Sequence, residues 1–349
     1  MMMTSTAFGA HNCLMNRASL NRFAAAWGAL FHLGKSDRIA IFPMHSLYIR
    51  HLLLFFILSP LPLTALAWNA AGHRLVAHIA WEQLEALTRA EVTRLLQGHP
   101  DHALWVKRAK DAQADRGAFV EASTWPDDIR QDQRFYHAGM DDPTPLLAGF
   151  PDMQRHSDWH YVNLRLDGSP DDPPLSGRLG TQLMNLLKTL AIRNTSAVDR
   201  SYALPWIIHL VGDAHQPLHT CVRTGANGKW DALGQGMTIS NPFNPRKNSS
   251  TLHAFWDDLP GPPWLRGERL QSTARSLVSN YPPMALSASS ETWIAESWQI
   301  AREHGYPTSH DDPPTITADF FEDSREITRR RVTQAGYRLA ELLNAALRQ

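Results

Sequence analysis

The chain has 349 residues, of which 43% are hydrophobic and 19% charged, and its 34 basic and 34 acidic side chains balance to a formal charge of zero. This composition is that of a globular protein with a core, and it lacks the basic excess of proteins that bind nucleic acid through a charged surface. With two cysteines in the whole chain, a disulfide-rich scaffold is excluded.

The first recognisable segment is a secretory signal peptide at residues 44–67. Arg50 precedes an apolar run that ends in the sequence Ala-Leu-Ala, which fits an A-x-A cleavage site. The run is shorter than the roughly 20 apolar residues of a membrane span and contains prolines, so a transmembrane anchor is disfavoured. We interpret residues 1–43 as an over-extended N-terminal region and Met44 as the true start.

Cleavage after Ala67 would leave 282 residues with 29 basic and 33 acidic side chains, a formal charge of −4. That part contains Cys221 as its one cysteine and 13 histidines. Without a disulfide, an exported protein of this size depends on its core or on bound metals. We expect residues 68–349 to form a single domain.

Apolar residues at helical spacing predict an all-α fold for this domain, since alternating strand patterns are almost absent. Residues 201–216 are interpreted as a buried helix that ends before Pro217. Arg329 to Arg331 is interpreted as a solvated stretch of the last helix, which is expected to begin near Ile327. The periodic positions are Val76, Ile79, Ala80, Leu84 and Leu87, then Leu183, Leu186, Leu187 and Leu190, and finally Ala335, Leu339, Leu342 and Leu343. Long loops, a frequent location of function, are expected at 139–152, 167–178, 222–250 and 258–267.

The stretch HLVGDAHQPLH places three histidines and an aspartate in an apolar, helix-like passage. His209 and Asp213 are four residues apart, so their side chains lie on one face of a helix. His219 follows the proline that ends the helix, where its side chain can turn back toward the same face. A polar helix face and a metal site are both compatible with this stretch taken alone.

Further candidate ligands lie in four other short motifs. They are His73 and the α-amino group of Trp68 in WNAAGH, Asp127 or Asp128 in STWPDDIR, His160 in DWHYVNL, and His253 with Asp257 in TLHAFWDD. Asp258 is an alternative to Asp257, but on a helix it points elsewhere. Imidazole nitrogen and carboxylate oxygen together suit zinc. Each motif alone has low specificity, whereas the full set in an exported chain predicts a metal site.

In these motifs the chain resembles the zinc-dependent single-strand-specific nucleases of the S-one/P-one type, distant relatives of the bacterial zinc-dependent phospholipases C. The resemblance covers essentially the whole mature part, from WNAAGH through TWPDDIR, WHYVN, HLVGDAHQPLH and LHAFWD to TWIAES and AGYRLAELLN. It implies the mainly helical fold of that group. It also implies a mature chain that begins with tryptophan, in agreement with cleavage before Trp68.

The resemblance implies three zinc ions as cofactors. The first would bind Asp127, His160, His209 and Asp213; the second would bind His219, His253 and Asp257; the third would bind His73, Asp213 and the amino nitrogen and carbonyl oxygen of Trp68. His215 is not a ligand in the family's pattern, and we interpret it as a supporting or core histidine.

The implied reaction is hydrolysis of a phosphodiester to 5′-phosphorylated products, by a hydroxide between the first and third zinc ions that needs no separate protein base. Asp127 and Asp213 would contribute to catalysis as ligands, and Arg130 would contact the phosphate, with a surface salt bridge as its alternative role. Tyr161 would stack on a base and Asn163 would contact the base edge, although a core position for Tyr161 is an equal alternative. Single-stranded DNA or RNA and 3′-nucleotides are the expected substrates, in the periplasm or outside the cell. No stable protein partner and no membrane span after signal cleavage are expected.

The sequence departs from the family at two places. The family's Gly-Gly-Asn segment is replaced by WDALGQGM at residues 230–237, and the disulfides of eukaryotic members are absent. Two other functions stay open: a zinc-dependent phospholipase C-like phosphodiesterase and a non-catalytic zinc-binding protein of the cell envelope. The zinc-dependent phospholipases C usually have glutamate at the position of Asp257, which argues against the first of these functions.

Overall fold

In the computed structural model the described residues are 68–166, 177–224, 230–244, 247–283, 289–309 and 311–348. The predicted signal peptide, the residues before it and most of the expected loop at 167–178 lie outside them. By its contacts the chain divides into two units, Met1–Leu61 and Pro62–Gln349, and every described residue belongs to the second.

This unit is mainly helical, as the sequence predicts. The α-helices of the described residues are α1 (Ala70–Gln83), α2 (Ala86–Gln97), α3 (His102–Arg108), α4 (Ala114–Ala122), α5 (Trp125–Asp128), α6 (Leu179–Ala191), α7 (Ala197–Asp213), α8 (Leu252–Asp258), α9 (Gly267–Asn280), α10 (Ser290–His304) and α11 (Ala318–Leu347). Two 3₁₀ helices span Ser157–Trp159 and Pro217–Thr220. None of the described helices is both long and apolar enough to cross a membrane.

The strands are short and belong to two separate pairs. β1 (Leu164–Arg165) pairs in parallel with β2 (Cys221–Val222), and β3 (Thr238–Ser240) pairs antiparallel with β4 (Ser249–Thr251). The second pair lies within the expected loop at 222–250 except for Thr251, so the described part of that loop contains strands that the sequence did not predict. β1 and β2 begin only a few residues after His160 and His219. Their pairing therefore holds together the two segments that carry these candidate ligands.

Helix α7 is the centre of the fold. Every residue of α7 from Ser201 to Asp213 is buried, and α1, α2, α5, α6 and α11 all pack against it. Trp206 on α7 is fully buried, and its ring lies 4.8 Å from Trp159 and 5.5 Å from His160. Burying an aromatic side chain of this size stabilises the fold by a few kcal/mol, on the order of 3. The same packing holds the segment that carries His160 against α7.

Several helix boundaries differ from the prediction. α1 ends at Gln83, Leu84 is its extended C-cap residue, and Leu87 lies in α2 with 71% of its surface exposed. The apolar spacing continues across this break, and neither glycine nor proline marks the turn. The sequence pattern therefore predicts a single helix. α7 ends at Asp213, three residues before the predicted end.

The last helix also differs from its prediction. It starts at Ala318 rather than near Ile327, because the Thr317 side chain caps it by accepting a hydrogen bond from the Phe320 N–H at 3.2 Å. Arg331, predicted to be solvated, is 3% exposed and pairs with Glu296 at 2.6 Å. The predicted apolar face of this helix is buried, as at Leu339 and Leu343.

Gly336 allows α11 to approach α1 closely. A Cβ at this position would lie 2.5 Å from Cγ2 of Ile79 and 3.2 Å from the carbonyl oxygen of Val76. Alanine stabilises a helix by roughly 1 kcal/mol relative to glycine. The clash outweighs this gain, because it involves the branched part of the buried Ile79 side chain. We expect Gly336→Ala to lower the free energy of unfolding by about 1–3 kcal/mol, measured by denaturant titration.

Gly180→Ala is the matched control, because the nearest atom to a Cβ there is the flexible Cδ1 end of Ile294, at 3.0 Å. We expect that variant to unfold at or near the wild-type denaturant concentration. A Gly336→Ala protein as stable as the control would show that α1 and α11 do not need this close approach.

Candidate metal centre

The candidate ligands converge on the C-terminal half of α7. His209 and Asp213 lie one turn apart on this helix and are fully buried. His73, in the first turns of α1, stacks on His209 with ring centroids 3.8 Å apart. A Cβ on Gly212 would lie 2.8 Å from Nδ1 of His73, so glycine at this position makes room for the ring.

The structure brings the eight predicted side-chain ligands into three neighbouring groups. In each group the ligand atoms lie within 4.8 Å of one another. The groups are His73, His209 and Asp213; Asp127, His160 and His209; and His219, His253 and Asp257. They differ from the sets that the resemblance implies in two members: Asp213 is not in the group of Asp127 and His160, and His209 belongs to two groups.

The spacing within the groups fits tetrahedral coordination of a small ion. Ligand atoms about 2.1 Å from a central zinc are about 3.4 Å from one another. Nε2 of His73 lies 3.4 Å from Oδ1 of Asp213, and Nε2 of His209 lies 3.3 Å from Oδ2 of the same carboxylate. Nε2 of His253 lies 3.3 Å from Oδ2 of Asp257.

Backbone carbonyl oxygens orient three of the histidines. Nδ1–H of His209 donates to the carbonyl of Ser123 at 2.8 Å, and Nδ1–H of His253 donates to that of Leu233 at 2.7 Å. Nδ1–H of His219 donates to the carbonyl of His160 at 2.7 Å. A neutral histidine that donates from Nδ1 keeps the lone pair on Nε2, which is the form a metal binds.

Each of the three carboxylates has a buried oxygen without a hydrogen bond to any described residue. These atoms are Oδ1 of Asp127, Oδ1 of Asp213 and Oδ2 of Asp257. Leaving such atoms unpaired inside a protein costs free energy unless another group compensates them. Together with the imidazole donors, they are the donor set that zinc prefers, so the residues present fit the metal that the resemblance implies.

Burial dominates the electrostatics of the site. Burial raises the pKa of Asp213 to about 6; His209 opposes this shift and the charge of Asp127 adds to it. Burial also raises the pKa of Asp257 well above its ordinary value. For His73 and His160, burial lowers the pKa well below 6.5, so both are neutral and able to bind a cation.

Neighbouring acidic residues are excluded from the groups by their own contacts. Oδ2 of Asp128 accepts from Arg108 at 2.6 Å, and Oδ1 of Asp258 accepts from Asn69 at 3.1 Å. The structure thus places Asp127 and Asp257 in the centre rather than their neighbours.

His215 is excluded in the same way. Its Nδ1–H donates to the carbonyl of Val211 at 2.7 Å, and its Nε2 accepts from Arg338 at 2.9 Å. Both ring nitrogens are therefore occupied, which agrees with the prediction of a core or supporting histidine.

Sequence reasoning missed Gln216. This fully buried side chain donates from Nε2 to Oδ1 of Asp257 at 2.8 Å, and its Oε1 accepts from the Leu218 N–H. The first contact leaves Oδ2 of Asp257 directed toward His253. A glutamine among histidines and directly before proline was the available signal, since a polar side chain buried there needs a partner.

The other predicted site residues lie around the centre. Arg130 is 7% exposed, so it is not a surface group, and its Nε lies 3.4 Å from Oδ1 of Asp127. Tyr161 is half-buried against Gly177, and Oδ1 of Asn163 is buried without a hydrogen bond in the described residues. Their roles toward a substrate stay predictions.

Trp68 is fully buried at the start of α1, where its side chain lies against Gly72. The N–H of the next residue, Asn69, donates to the carbonyl of Asp257 at 3.1 Å and so ties this end of the helix to α8. Coordination through the main chain of Trp68 remains a prediction.

Comparison with known proteins agrees with this geometry. The sequence model described as S1/P1 Nuclease matches residues 68–348. The chain is similar to three proteins of Arabidopsis thaliana. Endonuclease 4 is 26% identical over 80% of this chain and 89% of its own length, Endonuclease 5 is 25% identical over 80% and 90%, and Endonuclease 3 is 25% identical over 82% and 92%.

Adjacent carboxylates provide a matched test of the centre. Asp127→Asn replaces a carboxylate oxygen by a weaker ligand, and we expect the purified protein to lose about one bound metal ion per chain. Asp128→Asn changes contacts with Arg108 and Thr124, both outside the centre, and should leave the metal content unchanged. Elemental analysis after dialysis against limiting zinc measures both. Equal metal contents in the two variants would contradict the placement of Asp127 in the centre.

Proposed function

The chain belongs to the S1/P1 nuclease family, and we propose that it is an exported, zinc-dependent endonuclease acting on single-stranded DNA and RNA. Its products would carry 5′-phosphates, and it would also remove the phosphate from 3′-nucleotides. The observation that carries the proposal is the convergence of three histidine–aspartate groups around α7.

Three ligand sets, formed from these groups and the main chain of Trp68, would each hold one zinc ion. Asp127, His160, His209 and Asp213 would hold the first, His219, His253 and Asp257 the second, and His73 with Asp213 and the main chain of Trp68 the third. When bound, zinc supplies Lewis acidity and lowers the pKa of water to near neutrality. Asp213 has the central role, because its two oxygens face different histidines: Oδ1 faces His73 and Oδ2 faces His209.

The centre would allow a chain without an excess of basic residues to bind a phosphodiester. Three carboxylate ligands offset only half of the six positive charges of three zinc ions, so the loaded site would attract an anion. Export follows from the predicted signal peptide, whose removal would free the amino group of Trp68 for coordination.

Arg130 would bind the phosphate beside the metals. Its Nε and Nη2 are buried and make no hydrogen bond within the described part of the chain, although Asp127 lies nearby. A buried guanidinium with unused donors suits a charged, oxygen-rich ligand such as phosphate.

Tyr161 and Asn163 would bind the base. They follow His160 closely, and the N–H of the intervening Val162 donates to the carbonyl of His219 at 2.9 Å, so this segment runs along the second group. Stacking on Tyr161 requires an unpaired base and tolerates any base, which accounts for a single-strand preference.

Two other functions are less well supported. A phospholipase C-like activity would use the same metals, but the curated relatives are named endonucleases. A non-catalytic zinc-binding protein would need no buried arginine beside the metals.

The decisive assay uses the zinc-loaded chain that starts at Trp68. We expect it to cut a single-stranded oligonucleotide to 5′-phosphorylated products, to cut the duplex much more slowly, and to lose activity with a zinc chelator. Gel analysis and identification of the product ends measure this, and zinc added back is the control for chelator damage. A zinc-loaded, folded protein that leaves the single strand intact would refute the proposal.

Arg130→Lys tests the phosphate contact separately. Lysine keeps the charge but loses the planar set of donors, so we expect kcat/KM on single strands to fall by about a hundredfold with unchanged zinc content. Arg134→Lys is the control, because Arg134 is 37% exposed and pairs with Asp101 and Asp132. Equal activities of the two variants would exclude Arg130 from phosphate binding.

A further inference from the structure

Residues 214–216 form a turn between candidate ligands of two different groups, and we call it the ligand turn. Asp213, directly before it, belongs to one group, and His219, shortly after it, belongs to another. Gln216, in the turn itself, donates to Asp257 of the second group. Oδ1 of Asp213 lies 3.9 Å from Nδ1 of His219, and the whole turn is fully buried. The conformation of the ligand turn therefore sets how the two groups lie relative to each other.

The sequence of the ligand turn leaves two main-chain carbonyls without a nearby main-chain donor. Pro217 has no N–H, and the N–H of Leu218 donates to the side chain of Gln216. Neither residue can therefore bind the carbonyl oxygens of Ala214 and His215, which follow the end of α7. Buried carbonyl groups at a helix end need partners, and here these must come from other parts of the fold.

Helices α10 and α11 provide these partners. The hydroxyl of Ser297 on α10 donates to the carbonyl of Ala214 at 2.6 Å, and Nε–H of Arg331 on α11 donates to the carbonyl of His215 at 3.4 Å. The two donors are linked, because Nη2–H of Arg331 donates to Oγ of Ser297 at 2.7 Å. Both side chains are buried, so water does not compete for these hydrogen bonds.

Further contacts fix the orientation of Arg331. Its Nη1 pairs with Glu296 at 2.6 Å, and its Nη2 also donates to the carbonyl of Trp293 at 3.2 Å. The same Glu296 carboxylate pairs with Arg338 at 2.7 Å, and Arg338 donates to Nε2 of His215. A planar guanidinium with several fixed acceptors cannot turn freely, so these contacts hold the ligand turn to α10 and α11.

We propose that Ser297 and Arg331 are positioning residues of the metal centre, which hold Asp213 and His219 in place through the carbonyl groups of the ligand turn. α10 also packs against the 3₁₀ helix that carries His219. The hydrogen bonds of the two residues to the turn end at main-chain atoms, so they act on a metal ion through the ligands. This inference rests on the proposed function in one respect, that the centre holds metal ions.

Ser297→Ala tests the proposal with a small change, because alanine favours a helix and only the hydroxyl is lost. The variant is loaded with zinc, and separately with cobalt(II), whose visible absorption depends on its coordination geometry. We expect zinc affinity, measured by competition with a chelator, to fall about tenfold, as is typical when a group that supports a metal ligand is removed. We also expect the cobalt spectrum to differ from that of the wild type.

Thr333→Val is the matched control. It removes a hydrogen bond of the same kind, from the hydroxyl of Thr333 to the carbonyl of Arg329 at 2.7 Å, but this bond lies within α11. Thr333 is 1% exposed, so both variants lose a buried hydroxyl group. We expect both to unfold at a lower denaturant concentration than the wild type, whereas zinc affinity and the cobalt spectrum should change in Ser297→Ala alone.

Arg331→Lys is a second, independent variant. Lysine keeps the charge but cannot donate at once to Ser297 and to the carbonyl of His215, so we expect the same direction of change in affinity and spectrum. Wild-type affinity and spectrum in both Ser297→Ala and Arg331→Lys would overturn the proposal. An equal change in Thr333→Val would also overturn it, because lost stability would then account for the effect. A wild-type protein that binds zinc without cutting nucleic acid would refute only the proposed function, since these measurements do not require cleavage.

Discussion

The burial of Asp213 at the end of α7 is the constraint on which the centre depends. A carboxylate at 0% exposure is costly unless positive charge compensates it, and the groups nearest to it are histidines, two of which burial keeps neutral. This free-energy cost of burial arises at the centre of the fold, where α1, α2, α5, α6 and α11 pack against α7. Bound cations are the simplest compensation. Metal binding and the stability of this core are therefore expected to be linked.

Packing and ligand geometry depend on the same contacts. Trp206 packs against His160 from one turn below His209, and Gly212 leaves space for the ring of His73. Carbonyl oxygens and Gln216 then set the orientation of individual ligands. Candidate ligand atoms from several distant chain segments thus lie about as far apart as the ligands of a tetrahedrally coordinated ion. Groups outside the centre hold them in place.

The parallel pair β1–β2 extends this organisation outward. β1 starts four residues after His160 and ends at Arg165, whereas β2 starts two residues after His219 and ends one residue before Arg223. Both arginines stack on aromatic rings. If the centre holds its metal ions, a nearly neutral chain would bind a polyanion there without the general basic surface that sequence composition would reveal.

Much of the helical fold could be predicted from sequence, and so could the shared helix faces of His209–Asp213 and His253–Asp257, since periodicity and four-residue spacing are properties of the local backbone. The wider set of candidate ligands came from the resemblance of the motifs to a known family. Local pattern was insufficient where helices end without glycine or proline, as at Leu84, and where a charge is neutralised by a distant partner, as for Arg331 with Glu296. Only tertiary structure showed the contacts that exclude Asp128, Asp258 and His215 from the centre, because their partners lie on other segments. It also brought residues from Arg165 to Tyr306 around one pocket, although they are separated by up to 141 positions and share no motif. Spacing along one helix is a local property, whereas the meeting of distant segments is decided by packing of the whole chain.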